Sequence, residues 1–118
     1  MITKNSNLVS SLGVMGGFQQ PQGHLQVISN LIDFGMNPQE ALDSERFSVS
    51  IENDTLFVEN SFNPDVVAAL KLKGHSVSIN SGFERGLFGG GQIIVRDNDE
   101  GVLFGGSDPR KDGLSVSF

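Results

Sequence analysis

The sequence predicts an α+β fold, and three kinds of observation support this prediction. Short stretches of alternating apolar and polar residues are typical of strands, and stretches with helical spacing lie between them. Turn-forming residues such as Asn53-Asp54 stand between neighbouring strand-like stretches. Strands that are joined by hairpins and mixed with helices favour α+β layers over a doubly wound parallel sheet.

The first predicted unit is a strand, a glycine turn and a helix. Leu8 to Leu12 alternate, and the chain then reaches the pair Gly16-Gly17. After Pro21, the apolar residues recur on one helical face until Gly35 ends the helix. They are Leu25, Ile28, Leu31 and Ile32. Because glycine has no Cβ, the turn can adopt positive φ angles and let an oxyanion approach its backbone N–H groups.

Two further helices are predicted to begin with an Asn-Pro pair. Asn37-Pro38 and Asn63-Pro64 each offer a side chain that caps free N–H groups and a proline that fits the first helical position. The second of these helices ends at Gly74. We interpret both asparagines as helix caps without a catalytic role.

The remaining predicted strands are short and include two hairpins. Asn53-Asp54 supplies one hairpin turn, and Asp97 to Gly101 supplies the other. The predicted strands are Phe47 to Ile51, Thr55 to Val58, His75 to Ile79, Gln92 to Val95, Val102 to Phe104 and Leu114 to Phe118.

The composition argues against several classes of protein. Among 118 residues, 14 are acidic and 8 are basic, and a net charge of -6 disfavours a nucleic-acid-binding face. The absence of cysteine removes disulfides and cysteine-based metal or redox sites. No apolar run is long enough to span a bilayer, and Met1 to Gly13 does not have the pattern of a secretion signal. We therefore expect no nucleic acid, membrane, metal or cofactor, and the compartment stays open.

Two histidines could carry chemistry. His24, on the helix after the glycine turn, could act as a general base if a nucleophilic hydroxyl lay within reach. No Ser-His-Asp order can be recovered, so we favour a structural, hydrogen-bonded His24. His75 follows Gly74 and is interpreted as a partner of the helix dipole.

Three loops have a structural and a functional interpretation. Asp108 and Arg110 flank a proline, and they form either a buried ion pair that holds the C-terminal strand or a solvated turn. Asp97, Asp99 and Glu100 lack the twelve-residue calcium pattern. Gly89-Gly90-Gly91 lacks the Gly-Lys-Ser/Thr ending of a P-loop, so a flexible loop is predicted there.

Several blocks of the sequence resemble the γ-glutamyltranspeptidase family in their order and spacing. They are Gly13-Val14-Met15-Gly16-Gly17, His24-Leu25-Gln26, Asp33 to Ala41, Arg46-Phe47, Gly89-Gly90-Gly91-Gln92 and Gly105 to Gly113. The resemblance covers roughly Leu8 to Phe118. It indicates the C-terminal part of the small, catalytic subunit, and it implies part of the four-layer αββα sandwich of N-terminal nucleophile hydrolases.

The resemblance also implies an activity, namely γ-glutamyl transfer to an acceptor or hydrolysis of γ-glutamyl amides such as glutathione. A threonine hydroxyl would attack the amide, and Gly16 and Gly17 would stabilise the oxyanion. The family's nucleophile belongs before Met1, and neither Thr3 nor Thr55 matches it. A serine pair that grips the donor also belongs upstream, and Ser10-Ser11 does not match that pair.

The implied partners are the rest of the catalytic subunit, the large subunit and a γ-glutamyl small molecule. Residues 1–118 would then be a single domain or a fragment of a longer protein, and uncovered sheet edges would favour self-association. Two alternatives remain open. One is a catalytically silent scaffold or assembly module, and the other is an acylase relative that acts on β-lactam side chains.

We predict that the 118-residue chain alone does not hydrolyse a γ-glutamyl anilide, because no threonine in it matches the family's nucleophile. Release of the aniline is measured with purified chain and with a mock purification from cells that lack it. Turnover that follows the chain and is missing from the mock sample would contradict the prediction.

Overall fold

The computed structural model describes residues 1–116, which form two β-sheets flanked by α-helices. The strands are β1 (Ile2–Lys4), β2 (Asn7–Met15), β3 (Phe47–Val49), β4 (Thr55–Glu59), β5 (Ser76–Asn80), β6 (Gly90–Arg96) and β7 (Leu103–Ser107). The α-helices are α1 (Gln20–Ile32), α2 (Pro38–Asp43) and α3 (Pro64–Leu72), and 3₁₀ turns cover Gly17–Gln19 and Gly82–Phe88.

The larger sheet is antiparallel and has the strand order β1-β2-β6-β7. Strand β2 pairs with β6, so Met15 lies opposite Gly90 and Val14 lies opposite Gly91. The predicted hairpin between β6 and β7 is confirmed. In its turn the Asp97 carboxylate accepts hydrogen bonds from the N–H groups of Asp99 and Glu100. This sheet places the end of β2, just before the glycine turn, beside the start of β6.

The smaller sheet has the order β3-β4-β5, and it contains a parallel pair that hairpin chemistry did not predict. Strands β3 and β4 form the expected antiparallel hairpin, whereas β4 and β5 run parallel. Helix α3 connects β4 to β5, and such a crossover lets the second strand run in the same direction as the first. The fold as a whole is α+β, as predicted.

The core lies between the larger sheet and helices α1 and α2. Val27 on α1 and Leu42 on α2 are fully buried against Val14 and Ile93 of the sheet. Gly23 allows α1 to approach closely, because a Cβ at this position would lie 2.8 Å from Cγ1 of Val14. Leu25 and Ile32, which the helical pattern placed on one apolar face, are 65% and 62% exposed.

Both predicted asparagine caps are confirmed. The side chain of Asn37 accepts hydrogen bonds from the N–H groups of Gln39 and Glu40, and the Glu40 carboxylate accepts one from the Asn37 N–H. Asn63 accepts a hydrogen bond from the Asp65 N–H at 2.8 Å. The proline that follows each asparagine occupies the first helical turn.

Three segments of the structure differ from the prediction. Leu114–Val116 is exposed and forms no strand, and Ser117 and Phe118 lie outside the described residues. The flexible loop predicted at Gly89-Gly90-Gly91 is wrong for its last two residues, because Gly90 and Gly91 begin β6, and the 3₁₀ helix Gly82–Phe88 precedes Gly89. The short strand β1 was not predicted.

None of the helices in residues 1–116 has the length and apolar character that crossing a membrane requires.

Candidate active site

The glycine turn directly follows β2 and opens helix α1. Gly16 has φ 138° and Gly17 has φ 59°, both in the range that favours glycine. The Gly16 carbonyl accepts a hydrogen bond from the Gln19 N–H at 3.1 Å, which closes the turn. Within the described residues, the N–H groups of Gly16 and Gly17 donate to no acceptor. Two backbone donors are therefore free to face a ligand.

The backbone at Gly89 packs against this turn. A Cβ on Gly16 would lie 3.1 Å from Cα of Gly89, and a Cβ on Gly89 would overlap the carbonyl oxygen of Met15. Gly89 has φ 81° and ψ -176°, a conformation that only glycine adopts readily. The backbone around Gly89 therefore lies so close to the backbone of Met15 and Gly16 that glycine is required at both Gly16 and Gly89.

A groove of about 710 Å³ lies beside the turn. Most of its lining side chains are apolar, and Phe18 is 99% exposed. Its apolar side chains are Phe18, Pro21, Val49, Ile51, Phe57 and Leu87. The buried Gln19 also lines the groove, and its Oε1 atom has no hydrogen-bond partner among the described residues. The site thus combines two backbone donors with an apolar surface.

Glu59, at the end of β4, is buried among three arginines. Its Oε1 atom accepts hydrogen bonds from Nε of Arg85 at 2.6 Å and from Nε of Arg110 at 2.8 Å. Its Oε2 atom accepts from Nη2 of Arg110 and from the N–H of Arg46. Glu59 is only 1% exposed, so these donors replace its hydration.

Asp108, directly after β7, is the second buried carboxylate. Its Oδ2 atom lies 2.7 Å from Nη2 of Arg46 and accepts a hydrogen bond from the N–H of Gly91 at 2.7 Å. Its Oδ1 atom lies 3.2 Å from Nη1 of Arg110. The side chains of Asp108 and Arg110 are completely buried. The predicted buried ion pair is confirmed, and the solvated-turn alternative is wrong because both side chains are buried. The pair does not hold a C-terminal strand, because Leu114–Val116 forms none.

These five residues, Arg46, Glu59, Arg85, Asp108 and Arg110, are called the ion network below. Burial alone would raise the pKa of Glu59, but hydrogen bonds from Arg110 and Arg85 outweigh it and lower that pKa. Burial lowers the pKa of Arg46, and the neighbouring charge of Arg110 lowers it further. Burial opposes the charge on Arg110, yet its bonds to Glu59 raise its pKa.

The structure places His24 in a structural role, as predicted. Its Nδ1 atom lies 2.6 Å from the Gln20 carbonyl oxygen, and its Nε2 atom accepts a hydrogen bond from the Val14 N–H at 3.2 Å. Both ring nitrogens are therefore occupied by backbone groups, so the ring has no nitrogen left to accept a proton from a nucleophile.

Sequence reasoning did not find Glu59 or Arg85 as members of the ion network. Arg85 and Arg110 are 26 and 51 residues from Glu59 in the chain, so no local motif joins them. Arg46 lies in a block that resembles the family, but that resemblance did not indicate its ion-pair partner, Asp108. Among residues 1–116 the structure contains no group of three or more His, Asp or Glu that could hold a metal ion.

A family model and several known proteins are similar to this chain. A family model described as Gamma-glutamyltranspeptidase matches residues 1–118. The chain is 32% identical over 122 residues to the glutathione hydrolase-like YwrD proenzyme of Bacillus subtilis, covering 100% of this chain and 23% of that protein. It is 33% identical over 119 residues to the glutathione hydrolase proenzyme of Escherichia coli, covering 100% of this chain and 20% of that protein.

A solved structure is also similar. The cephalosporin acylase from Bacillus halodurans has a TM-score of 0.91 and 46% identity, with 98% of this chain and 21% of the acylase chain covered. This likeness confirms the predicted fold class, part of the sandwich of N-terminal nucleophile hydrolases. The chain spans about a fifth of the length of these three proteins.

Arg110→Ala should destabilise the protein by about 3–5 kcal/mol, because it leaves two buried carboxylates short of a partner. Thermal unfolding of the whole protein that contains this chain measures the change. Lys71→Ala, at an exposed position on α3, is the control for loss of a positive charge. A melting temperature for Arg110→Ala within a degree or two of the parent would contradict a buried ion network.

The stability that Glu59 contributes should disappear in acid. Its folded-state pKa lies below the unfolded-state value of about 4.3, so its contribution is complete above that value and is lost as the pH falls through the folded-state pKa. We expect Glu59→Gln to melt below the parent at pH 6 and the gap to narrow below about pH 4. Thermal unfolding at stepped pH tests this, and a gap that stays constant to pH 3 would contradict it.

Proposed function

The chain belongs to the gamma-glutamyltranspeptidase family, and from this premise we propose that it is part of an enzyme that cleaves γ-glutamyl amides by acyl transfer. The observation that carries the proposal is the glycine turn, with two unpaired N–H groups at positive φ beside an open groove. Such donors stabilise the negative oxygen of a tetrahedral intermediate. Gly16 and Gly17 are the residues assigned to this role.

In the proposed reaction, the nucleophile comes from the rest of the protein and the oxyanion donors come from this chain. A threonine hydroxyl outside this chain attacks the carbonyl carbon of the amide, and the carbonyl oxygen becomes an oxyanion against Gly16 and Gly17. Collapse of the intermediate expels the amine and leaves an acyl-enzyme. Water or an amino acceptor then takes the acyl group, and the threonine hydroxyl is restored.

The two threonines of the chain are poor substitutes for that nucleophile. Thr3 pairs with Leu8, at the opposite end of β2 from Gly16, and eight residues of strand correspond to roughly 25 Å. The hydroxyl of Thr55 donates to the carbonyl oxygen of Asn53 at 3.3 Å. Their positions support a nucleophile that is supplied by the rest of the protein.

Acylase activity on β-lactam side chains is the second candidate function, and two observations favour it. The 46% identical solved structure is a cephalosporin acylase, and the groove beside the glycine turn has a mainly apolar lining. An apolar groove gains free energy by covering an apolar substituent. Activity of the whole protein on a γ-glutamyl anilide and on an N-acyl cephalosporin separates the two candidates, and activity on neither favours a silent scaffold.

The proposed partners are the rest of the catalytic subunit and the large subunit. Strands β1 and β7 are the edges of the larger sheet, and several large apolar side chains are almost fully exposed. They include Phe18, Ile51, Leu72 and Phe83. Contact with the remaining polypeptide would cover these edge strands and these apolar side chains. The isolated chain would instead pair its edge strands with those of other copies.

Gly17→Val in the whole protein should lower kcat by about 10² or more, because one oxyanion donor contributes roughly 2.7–4 kcal/mol to the transition state. Gly35→Val is the matched control. Gly35 has φ 65°, close to the 59° of Gly17, and a Cβ at either position has nothing within 4 Å. Steady-state kinetics and thermal unfolding are measured for both variants.

The control separates strain from catalysis. Both valines carry the same backbone strain, so both variants should melt at similar temperatures, and only Gly17→Val should lose turnover. A loss of less than threefold for Gly17→Val at unchanged stability would remove Gly17 from the mechanism. Equal losses of kcat in the two variants would point to strain alone.

A further inference from the structure

The segment Phe88–Gly91 lies between the glycine turn and the ion network. On one side, Gly89 packs against Gly16, and a side chain on Gly89 would overlap the Met15 carbonyl oxygen. On the other side, a Cβ on Gly91 would lie 3.4 Å from Oδ2 of Asp108. The segment therefore contacts the glycine turn at Gly89 and the buried carboxylate of Asp108 at Gly91.

The ion network holds this segment at both of its ends. Nη1 of Arg46 donates a hydrogen bond to the Phe88 carbonyl oxygen at 3.3 Å. Asp108 binds Gly91 twice, because its carboxylate accepts from the Gly91 N–H at 2.7 Å and its own N–H donates to the Gly91 carbonyl oxygen at 3.0 Å. Gly89 lies between these anchors.

We propose that Asp108 is a positioning residue for the oxyanion donors, acting through Gly91 and Gly89 on the turn at Gly16. This inference rests on the proposed function of that turn. Asp108 touches no reacting atom in this arrangement. It fixes the backbone against which Gly16 packs, and a displacement of about 1 Å in such a site lowers turnover by about 10².

The surroundings of Asp108 explain why its carboxylate can fix a backbone. It is 1% exposed, and Arg46 and Arg110 hold its two oxygens, so the carboxylate cannot rotate away from Gly91. Glu59 belongs to the same ion network and is equally buried, yet its hydrogen bonds go to Arg46, Arg85 and Arg110 and none goes to Phe88–Gly91. Glu59 therefore provides the matched control.

The test compares Asp108→Asn with Glu59→Gln in the whole protein that contains this chain. Both substitutions neutralise a buried carboxylate at nearly constant shape, so both should lower the melting temperature. Kinetics use whichever of the γ-glutamyl anilide and the N-acyl cephalosporin the parent cleaves, well below both melting temperatures. We expect kcat per folded enzyme to fall about tenfold or more for Asp108→Asn with KM within threefold, and to stay within threefold for Glu59→Gln.

Amide hydrogen exchange gives a readout that does not depend on activity. Val14 and Met15 pair with Gly91 and Gly90, so loss of the Asp108 anchor should speed exchange in peptides that cover residues 12–15 and 88–92. Glu59→Gln should speed exchange in these peptides less than Asp108→Asn does, because it lowers the overall stability without releasing the Phe88–Gly91 segment. Unchanged exchange in Asp108→Asn, or an equal increase in both variants, would overturn the proposal.

The two readouts also separate this proposal from the proposed function. Faster exchange in Asp108→Asn with unchanged kcat would overturn the positioning role of Asp108, whereas Gly17→Val tests the proposed function of the turn separately. If Asp108→Asn does not fold, Gly89→Ala moves the same backbone, with Gly101→Ala as its control. Gly101 also has positive φ, 72°, but has nothing within 4 Å of a Cβ. Equal kcat in these two variants would overturn the proposal.

Discussion

The ion network joins parts of the chain that are far apart in the sequence. Glu59 ends a strand of the smaller sheet, and Asp108 follows the last strand of the larger sheet. Arg110 donates to the carbonyl oxygens of Leu42 and Ser44 at the end of helix α2. Three arginines surround two carboxylates, and all of these side chains except the partly exposed Arg85 are buried. Removal of Arg46 or Arg110 would leave a buried carboxylate without one of its partners. The stability of the contact between the two sheets therefore depends on this ion network.

Glycine is what allows this network to reach the candidate active site. A Cβ on Gly91 would overlap Cδ2 of Leu42, and a Cβ on Gly89 would overlap the Met15 carbonyl oxygen. At Gly89 the backbone of Met15 fills the space that a side chain would need, and at Gly91 the side chain of Leu42 fills it. The charges can then act directly on the main chain that supports Gly16, without a flexible side chain between them. The contacts of Arg46 and Asp108 with the Phe88–Gly91 segment therefore contribute both to the folding stability and to the position of the backbone beside Gly16.

In the proposed function, this chain supplies one part of the active site. The chain spans about a fifth of the length of its relatives. In the proposed function it contributes two backbone donors and the framework behind them. A site built from main-chain N–H groups on a strand end and a helix start is held by the fold itself, which gives the preorganisation that oxyanion stabilisation requires. In the proposed function, the apolar groove beside the turn is where the substituent of the substrate would bind.

The sequence by itself determined the local features of this protein. Alternation predicted β2 and β6, and the Asn-Pro pairs predicted the starts of α2 and α3, because each depends on residues that are neighbours in the chain. The blocks around Gly16-Gly17 and Asp108 carried the family. Only the tertiary structure decided that β4 and β5 run parallel, that Leu114–Val116 forms no strand, and that Glu59 and Arg85 join Arg110. These features depend on contacts between distant residues, whose charges and shapes match only after the two sheets have packed.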